Sequence, residues 1–301
     1  MKRRTVLAGV GVGLAGLAGC AQSQEPEPAP TEAPATTSGG TTARTETPTP
    51  AQADSGAEDP PAVDASPLRL LSVAAPTRVE IATNVGYQFT VENPAREPHV
   101  YEPATSVRDG TAGWSTLDRW EPVELAAGEV RTFKSSSVTS EYLTTKVVRV
   151  DGIGATFGIE FVERRVPFGG TYTDPVDREV VVDGVNVRDS FEYTSDGYER
   201  MAEAGGDHQW AMLDVRVMNR VNESIEAPPY DGFSLVHGEE TYQPLPTEHD
   251  DAYTPVELPR NGGASGVILF KVPEHLASRD VGASWYASFD GGDVGAVWSP
   301  R

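Results

Sequence analysis

"WAMLDVRVMNRVNESIE", residues 210–226, alternates at its centre: Leu213, Val215 and Val217 fall on one face, Asp214 and Arg216 on the other. A period of two puts successive side chains on opposite sides of a pleated strand, one toward a core and one toward water. The strand ends at Asn219, a residue that tolerates left-handed backbone and suits a polar turn. A second stretch, "YQFTVENPAREPHV" (87–100), has the same form. Tyr87, Phe89 and Val91 alternate with Gln88, Thr90 and Glu92, and Asn93 closes the run.

Further runs with β character cover 69–73, 130–136, 143–150, 155–162, 179–182, 233–236, 266–271 and 283–289, separated by Gly, Pro, Asn and Asp. Helical periodicity is confined to a short piece around Tyr198–Ala204, so the expected class is all-β. A repeat lies downstream of each asparagine. "PVELAAGEVRTFK" (122–134) parallels "PVELPRNGGASGVILFK" (255–271), each a Pro-Val-Glu-Leu run, a glycine turn and a strand ending Phe-Lys. The asparagine-to-proline spacing is 29 residues in one half and 36 in the other. These features predict two tandem immunoglobulin-like β-sandwich domains, 67–166 and 176–301. "RRVPFGGTYTDPVD" (164–177) has the paired glycines and prolines of a boundary, which predicts that a fragment starting near Thr173 folds alone.

Residues 21–66 are rich in Pro, Thr, Ala and Glu, carry no aromatic side chain and have Val63 as their one large aliphatic residue. Such a composition buries too little surface to offset chain entropy, so a disordered acidic stalk is expected. Before it, residues 1–20 have the order of a secretory signal: Lys2, Arg3 and Arg4, then an uncharged glycine-studded run, then small residues. Fourteen uncharged residues, Val6–Gly19, are too few for a bilayer span of about 20 residues. Arg3-Arg4-Thr5-Val6-Leu7 resembles a twin-arginine export signal. Leu17-Ala18-Gly19-Cys20 resembles a lipobox, which implies that Cys20 is the lipid attachment site and the new N-terminus. Cys20 is the sole cysteine, so an internal disulfide is impossible. The expected location is therefore the outer face of the cell membrane, with membrane lipid as a partner through Cys20.

The chain of 301 residues has 45 acids against 24 bases, a formal net charge of −21, and few of its bases are lysine. Acid excess of this kind resembles secreted proteins of salt-loving archaea, whose carboxylates keep the surface hydrated when salt screens repulsion. With no Lys/Arg cluster beyond the first four residues, nucleic acid is an unsuitable partner. Residues 179–299, with "WAMLDVRVMNRVNESIE", "FSLVHGEETYQP" and "LPRNGGASGVILFKVPEH", resemble the immunoglobulin-like secreted domains grouped as domain-of-unknown-function family 4352. That resemblance implies a β-sandwich and an extracytoplasmic site, and it brings no catalytic residues.

Catalytic and metal signatures are weak. A blue-copper site needs two histidines and a cysteine, yet no cysteine follows Cys20. His99, His208, His237, His249 and His275 have no ligand spacing. Glu248, His249, Asp250 and Asp251 form the densest polar cluster, a weak cation candidate without the alternation of an EF-hand loop. No GxSxG elbow occurs. Asn222-Glu223-Ser224 satisfies the N-glycosylation sequon on an expected turn. The expected role is a non-catalytic binding or structural module without a cofactor, directed at a surface protein or glycan. The alternative is a solute-capturing lipoprotein or an accessory subunit of a surface transporter or hydrolase.

Overall fold

The computed structural model describes residues 67–135, 137–246 and 250–300, and these are almost wholly strands and turns. The signal segment and the stalk, with Arg3, Arg4 and Cys20, lie outside the described residues, as do Glu248 and His249. The first half comprises β1 (Arg69–Ala74), β2 (Arg78–Glu80), β3 (Gln88–Glu92), β4 (His99–Tyr101), β5 (Ala104–Asp109), β6 (Ser115–Arg119), β7 (Val123–Leu125), β8 (Val130–Lys134), β9 (Thr144–Val150) and β10 (Ala155–Val162). The second half begins with β11 (Arg164–Pro167), β12 (Thr171–Thr173), β13 (Arg178–Arg188), β14 (Ser190–Ser195), β15 (Tyr198–Glu203) and β16 (His208–Asn219). It continues through β17 (Ile225–Glu226), β18 (Phe233–His237), β19 (Glu240–Tyr242), β20 (Glu257–Leu258), β21 (Gly263–Pro273), β22 (Gly282–Phe289) and β23 (Gly292–Ser299).

Each half is a sandwich of two sheets. In the first, β1-β3-β8 packs against β2-β10-β9-β5-β6; in the second, β12-β13-β16-β21 packs against β11-β23-β22-β18-β19. The two orders superimpose strand for strand, with β12 as an added edge. Both five-stranded sheets carry one parallel edge pair, β2 with β10 and β11 with β23, and are otherwise antiparallel. The path into the sandwiches differs. β2 lies between β1 and β3 in the chain, whereas β11 precedes β12 and β13.

The alternating residues form the cores. Phe89, Val91, Val148, Val150, Ile159 and Phe161 are buried in the first sandwich, and Leu213, Val215, Val217 and Phe270 in the second with Trp285 and Trp298. Each repeated asparagine is fully buried and does one job twice. Asn93 Nδ2 donates to the carbonyls of Glu97 (2.8 Å), Leu125 (2.9 Å) and Ala126 (3.2 Å), and its Oδ1 accepts from Ala95 N–H (3.1 Å). Asn219 Nδ2 donates to Glu223 (2.7 Å), Leu258 (2.9 Å) and Pro259 (3.2 Å), and its Oδ1 accepts from Val221 N–H (2.8 Å). Leu125 and Leu258 end the two Pro-Val-Glu-Leu runs. The two parts of the sequence repeat thus meet in space, because a buried amide must find partners and these carbonyls supply them.

Two expectations need correction. The segment around Tyr198–Ala204 is strand β15, not helix; it pairs with β14 across Asp196 and Gly197, both at positive φ (54° and 76°). That backbone pair is the two-residue hairpin turn, and it overrides a weak helical spacing. The boundary also moves from 166/176 to Glu163, because β11 pairs with β23 throughout Arg164–Pro167 and so belongs to the second sandwich. Its proline is accommodated at a sheet edge. Gly170 makes the tight turn that follows, where a Cβ would lie 2.7 Å from Val166 Cγ1 and 2.9 Å from the Pro167 carbonyl.

The halves touch at a joint. Leu143 N–H donates to the Asp293 carbonyl (2.7 Å), and Tyr286 Oη–H donates to Glu163 Oε1 (3.0 Å). Arg164 reaches back to Thr83 Oγ1 (3.1 Å) and Glu80 Oε2 (3.4 Å). The Tyr142 ring lies against Gly291 and Gly292, so closely that a Cβ on Gly291 would collide with its Cζ.

Candidate functional site

The turn from β12 into β13, "TDPVDR" (173–178), builds a buried ion pair. Asp174 Oδ1 accepts the N–H groups of Val176 (3.1 Å) and Arg178 (2.9 Å), which folds the carboxylate back over its own backbone. Its Oδ2 then accepts Arg178 Nε at 2.8 Å, with the Asp174 side chain wholly out of solvent. Arg178 Nη1 donates to the Glu226 carbonyl (2.7 Å), and the guanidinium lies 5.5 Å from the Trp285 ring and 5.9 Å from that of Phe289. Nη2 carries no hydrogen bond among the described residues. Burial pushes the Asp174 carboxyl above its ordinary value, while Arg178 and the two backbone N–H groups pull it back.

The pair is not a requirement of the fold. Arg178 stands opposite Asn219 in the register; the matching place in the first sandwich, one residue before Arg69 and its partner Glu92, holds buried Leu68. An apolar side chain serves there, in keeping with the near-parity of buried ion pairs and hydrophobic replacements.

Beside Arg178 opens a cleft of about 610 Å³. Leu143, Pro229, Tyr286 and Phe289 supply apolar walls, and Glu226 and Asp293 stand at the rim. Asp293 Oδ1 accepts Ser288 Oγ–H at 2.6 Å. Burial, then the bond and charge of Glu163, push the Tyr286 phenol up to about 12, so it stays a neutral donor. The cleft therefore offers a fixed guanidinium, hydroxyls and two carboxylates around apolar walls, a set suited to recognition. Leu143 and Tyr286 are remote in sequence, so no local pattern announces the cleft. "TDPVDR" alone carried a signal, an acid four residues before an arginine across a proline turn.

The sequence candidates lie elsewhere. Asp250 and Asp251 are exposed and held by their backbones, Asp250 N–H donating to the Thr194 carbonyl (3.2 Å) and Val267 N–H to the Asp251 carbonyl (2.8 Å). Among the described residues no group of three or more His, Cys, Asp or Glu is placed to hold a metal. Asn222 is exposed on the turn beyond Asn219, with Glu223 and Ser224 also exposed.

No family model and no curated protein matches the chain. Solved structures similar to it include MPT63, a secreted protein of Mycobacterium tuberculosis, at 18% identity over 46% of this chain and 98% of that one, with a TM-score of 0.33. The yjhA protein of Bacillus subtilis matches at 12% identity over 45% and 99% of the two chains, TM-score 0.33. An uncharacterized β-sandwich protein of Clostridium difficile 630 matches at 8% identity over 46% and 93%, TM-score 0.31.

Proposed function

We propose that this chain is a lipid-tethered extracytoplasmic protein whose two sandwiches act as a non-catalytic binding module. The tether rests on the order of the first 20 residues, a twin-arginine head, an uncharged run and a lipobox ending at Cys20. Two acyl chains at one point anchor stably, where a single short chain is marginal. The binding role is carried by one observation, the Arg178 cleft. Its volume falls within the range of about 300–1,000 Å³ typical of ligand sites, and it joins apolar walls to a few fixed polar groups.

Both parts are testable. Cys20→Ser is expected to release the protein from membranes into the medium, and the wild-type N-terminus is expected to carry lipid on Cys20 by mass spectrometry. Retention of the variant with an unmodified N-terminus elsewhere overturns the tether. Ala287→Trp, which fills the cleft from β22, is expected to abolish recovery of the ligand captured on intact cells without altering the unfolding midpoint. The same open cleft also favours a second reading, solute capture. A bound small molecule released on denaturation identifies that role, whereas a cross-linked macromolecule identifies adhesion.

A further inference from the structure

The outer face of the five-stranded sheet in the first sandwich holds a positive site in a chain of net charge −21. Ser106 pairs with Arg149 and Arg108 with Val147 across β5 and β9, so the two arginines are diagonal neighbours on one face. Trp114, from the β5–β6 hairpin, covers both, its ring centre 4.8 Å from the Arg108 guanidinium carbon and 4.4 Å from that of Arg149. Asp151 serves Arg149, accepting Nε at 2.8 Å on Oδ1, and its Oδ2 accepts Ser106 Oγ–H at 2.7 Å. Asp109, the acid nearest Arg108 in sequence, is engaged by Lys146 Nζ at 3.2 Å.

Arg108 is left with the indole alone. Its Nε is buried without a hydrogen-bond partner, and no carboxylate pairs with its guanidinium among the described residues. The other arginines there without an ion pair or side-chain hydrogen bond, Arg96, Arg119, Arg165, Arg200 and Arg260, are exposed to water, whereas Arg108 is half-buried. An aromatic face attracts a cation but supplies no acceptor for its N–H groups. Nε is shut off from solvent, so the two terminal amino groups, held against the ring with the nearby acids already engaged, are the donors organised for an incoming carboxylate.

The surroundings narrow the carrier of that carboxylate. Thr116, Ser106, Arg149 and Thr156 form one cross-strand row over β6, β5, β9 and β10, and Thr145 lies on the same face of β9. The exposed hydroxyls of Thr116, Thr145 and Thr156, on the face that carries the indole and the guanidinium, match a polyhydroxylated chain bearing carboxylates. The geometry points to a binding site for an acidic, uronate-bearing glycan on this sheet, with Arg108 as its carboxylate receptor and Trp114 as the ring that holds Arg108 in place. The site is separate from the Arg178 cleft and does not depend on the lipid tether.

The test uses the full chain, hexagalacturonate, its carboxyl-reduced neutral counterpart, and hexaglutamate, with binding followed by titration calorimetry. Hexagalacturonate is expected to bind, and the other two at least about tenfold more weakly. Arg108→Gln is expected to lose at least about tenfold in affinity while nearly keeping its unfolding midpoint, since it removes no hydrogen bond or ion pair and only the contact with the Trp114 ring. Val147→Glu keeps Arg108 but places a carboxylate directly across from it, and is expected to abolish binding by occupying the guanidinium. Absence of hexagalacturonate binding, equal binding of the neutral oligomer, or unchanged binding by both variants overturns the proposal. Equal binding of hexaglutamate overturns the sugar assignment in favour of an acidic peptide.

Discussion

At Asn219 a single amide closes a turn and ties it to a segment 39 residues away. Asn93 does the same over 32 residues. In the sequence each is visible as a turn residue, but its partners are backbone carbonyls, which have no residue signature. Loss of the amide leaves buried carbonyls unsatisfied at about 1–3 kcal/mol apiece. Asn219→Ala is therefore expected to lower unfolding free energy by about 3–5 kcal/mol in denaturant titrations. Asn219→Asp should be worse near neutral pH, where an ionised carboxylate would face three carbonyl oxygens, and should recover in acid, where the protonated form donates again. The ion pair at Arg178 gives a contrasting case. Arg178→Leu alone strands a buried carboxyl and is expected to cost about 3–5 kcal/mol, whereas Asp174→Asn together with Arg178→Leu, which keeps an uncharged oxygen for the two backbone N–H groups, should recover most of it, as Leu68 implies. Asp174 also sets a pH dependence. Its folded-state value is raised, so its contribution is present below the ordinary value of 3.8 and is lost as pH rises through the raised one. The advantage of wild type over Asp174→Asn should thus be larger at about pH 3 than at about pH 7, by denaturant unfolding at each pH.

Among the elements, the long half-buried strands were legible and the short ones were not. β3, β9, β10 and β16 declare themselves because one face is core and the other faces outward. β2, β4, β12, β17 and β20 are two or three residues long, too short for a period to register. β23 was missed for another reason: "GDVGAVWS" (292–299) buries a run from Val294 through Ala296 and breaks strict alternation with Gly295. That omission hid the partner of β11, and with it the true boundary. Val166 pairs with Trp298, which is fully buried. A fragment starting at Thr173 leaves the β23 edge and Trp298 uncovered, whereas one starting at Glu163 retains β11. The longer fragment is expected to unfold cooperatively by tryptophan fluorescence, and the shorter to have a lower midpoint and to aggregate, as an open edge strand predisposes. Equal midpoints would show that β11 adds nothing to the second sandwich.

For the whole molecule, the repeat made two similar sandwiches foreseeable, but composition suggested a slack boundary where the chain has a joint. Only Glu163 separates β10 from β11, and one residue of extended chain leaves little room for independent motion. The contacts across the joint are side-chain and turn interactions between residues far apart in sequence, which no local pattern encodes. Tyr142 is the tightest of them. Any side chain at Gly291 must displace its ring, since a Cβ would stand 2.3–2.5 Å from Cζ, Oη and Cε2. Leu143, which follows it, would then be drawn away from Asp293 and from the wall of the Arg178 cleft. If the joint couples the halves, wild type should unfold in a single calorimetric transition, and Gly291→Ala should split it into two as each sandwich melts by itself. Tyr142→Ala in the Gly291→Ala background relieves the clash without restoring the contact, so the two transitions should persist. A single transition in both variants would locate the coupling elsewhere, in the Arg164–Glu80 and Tyr286–Glu163 contacts that remain.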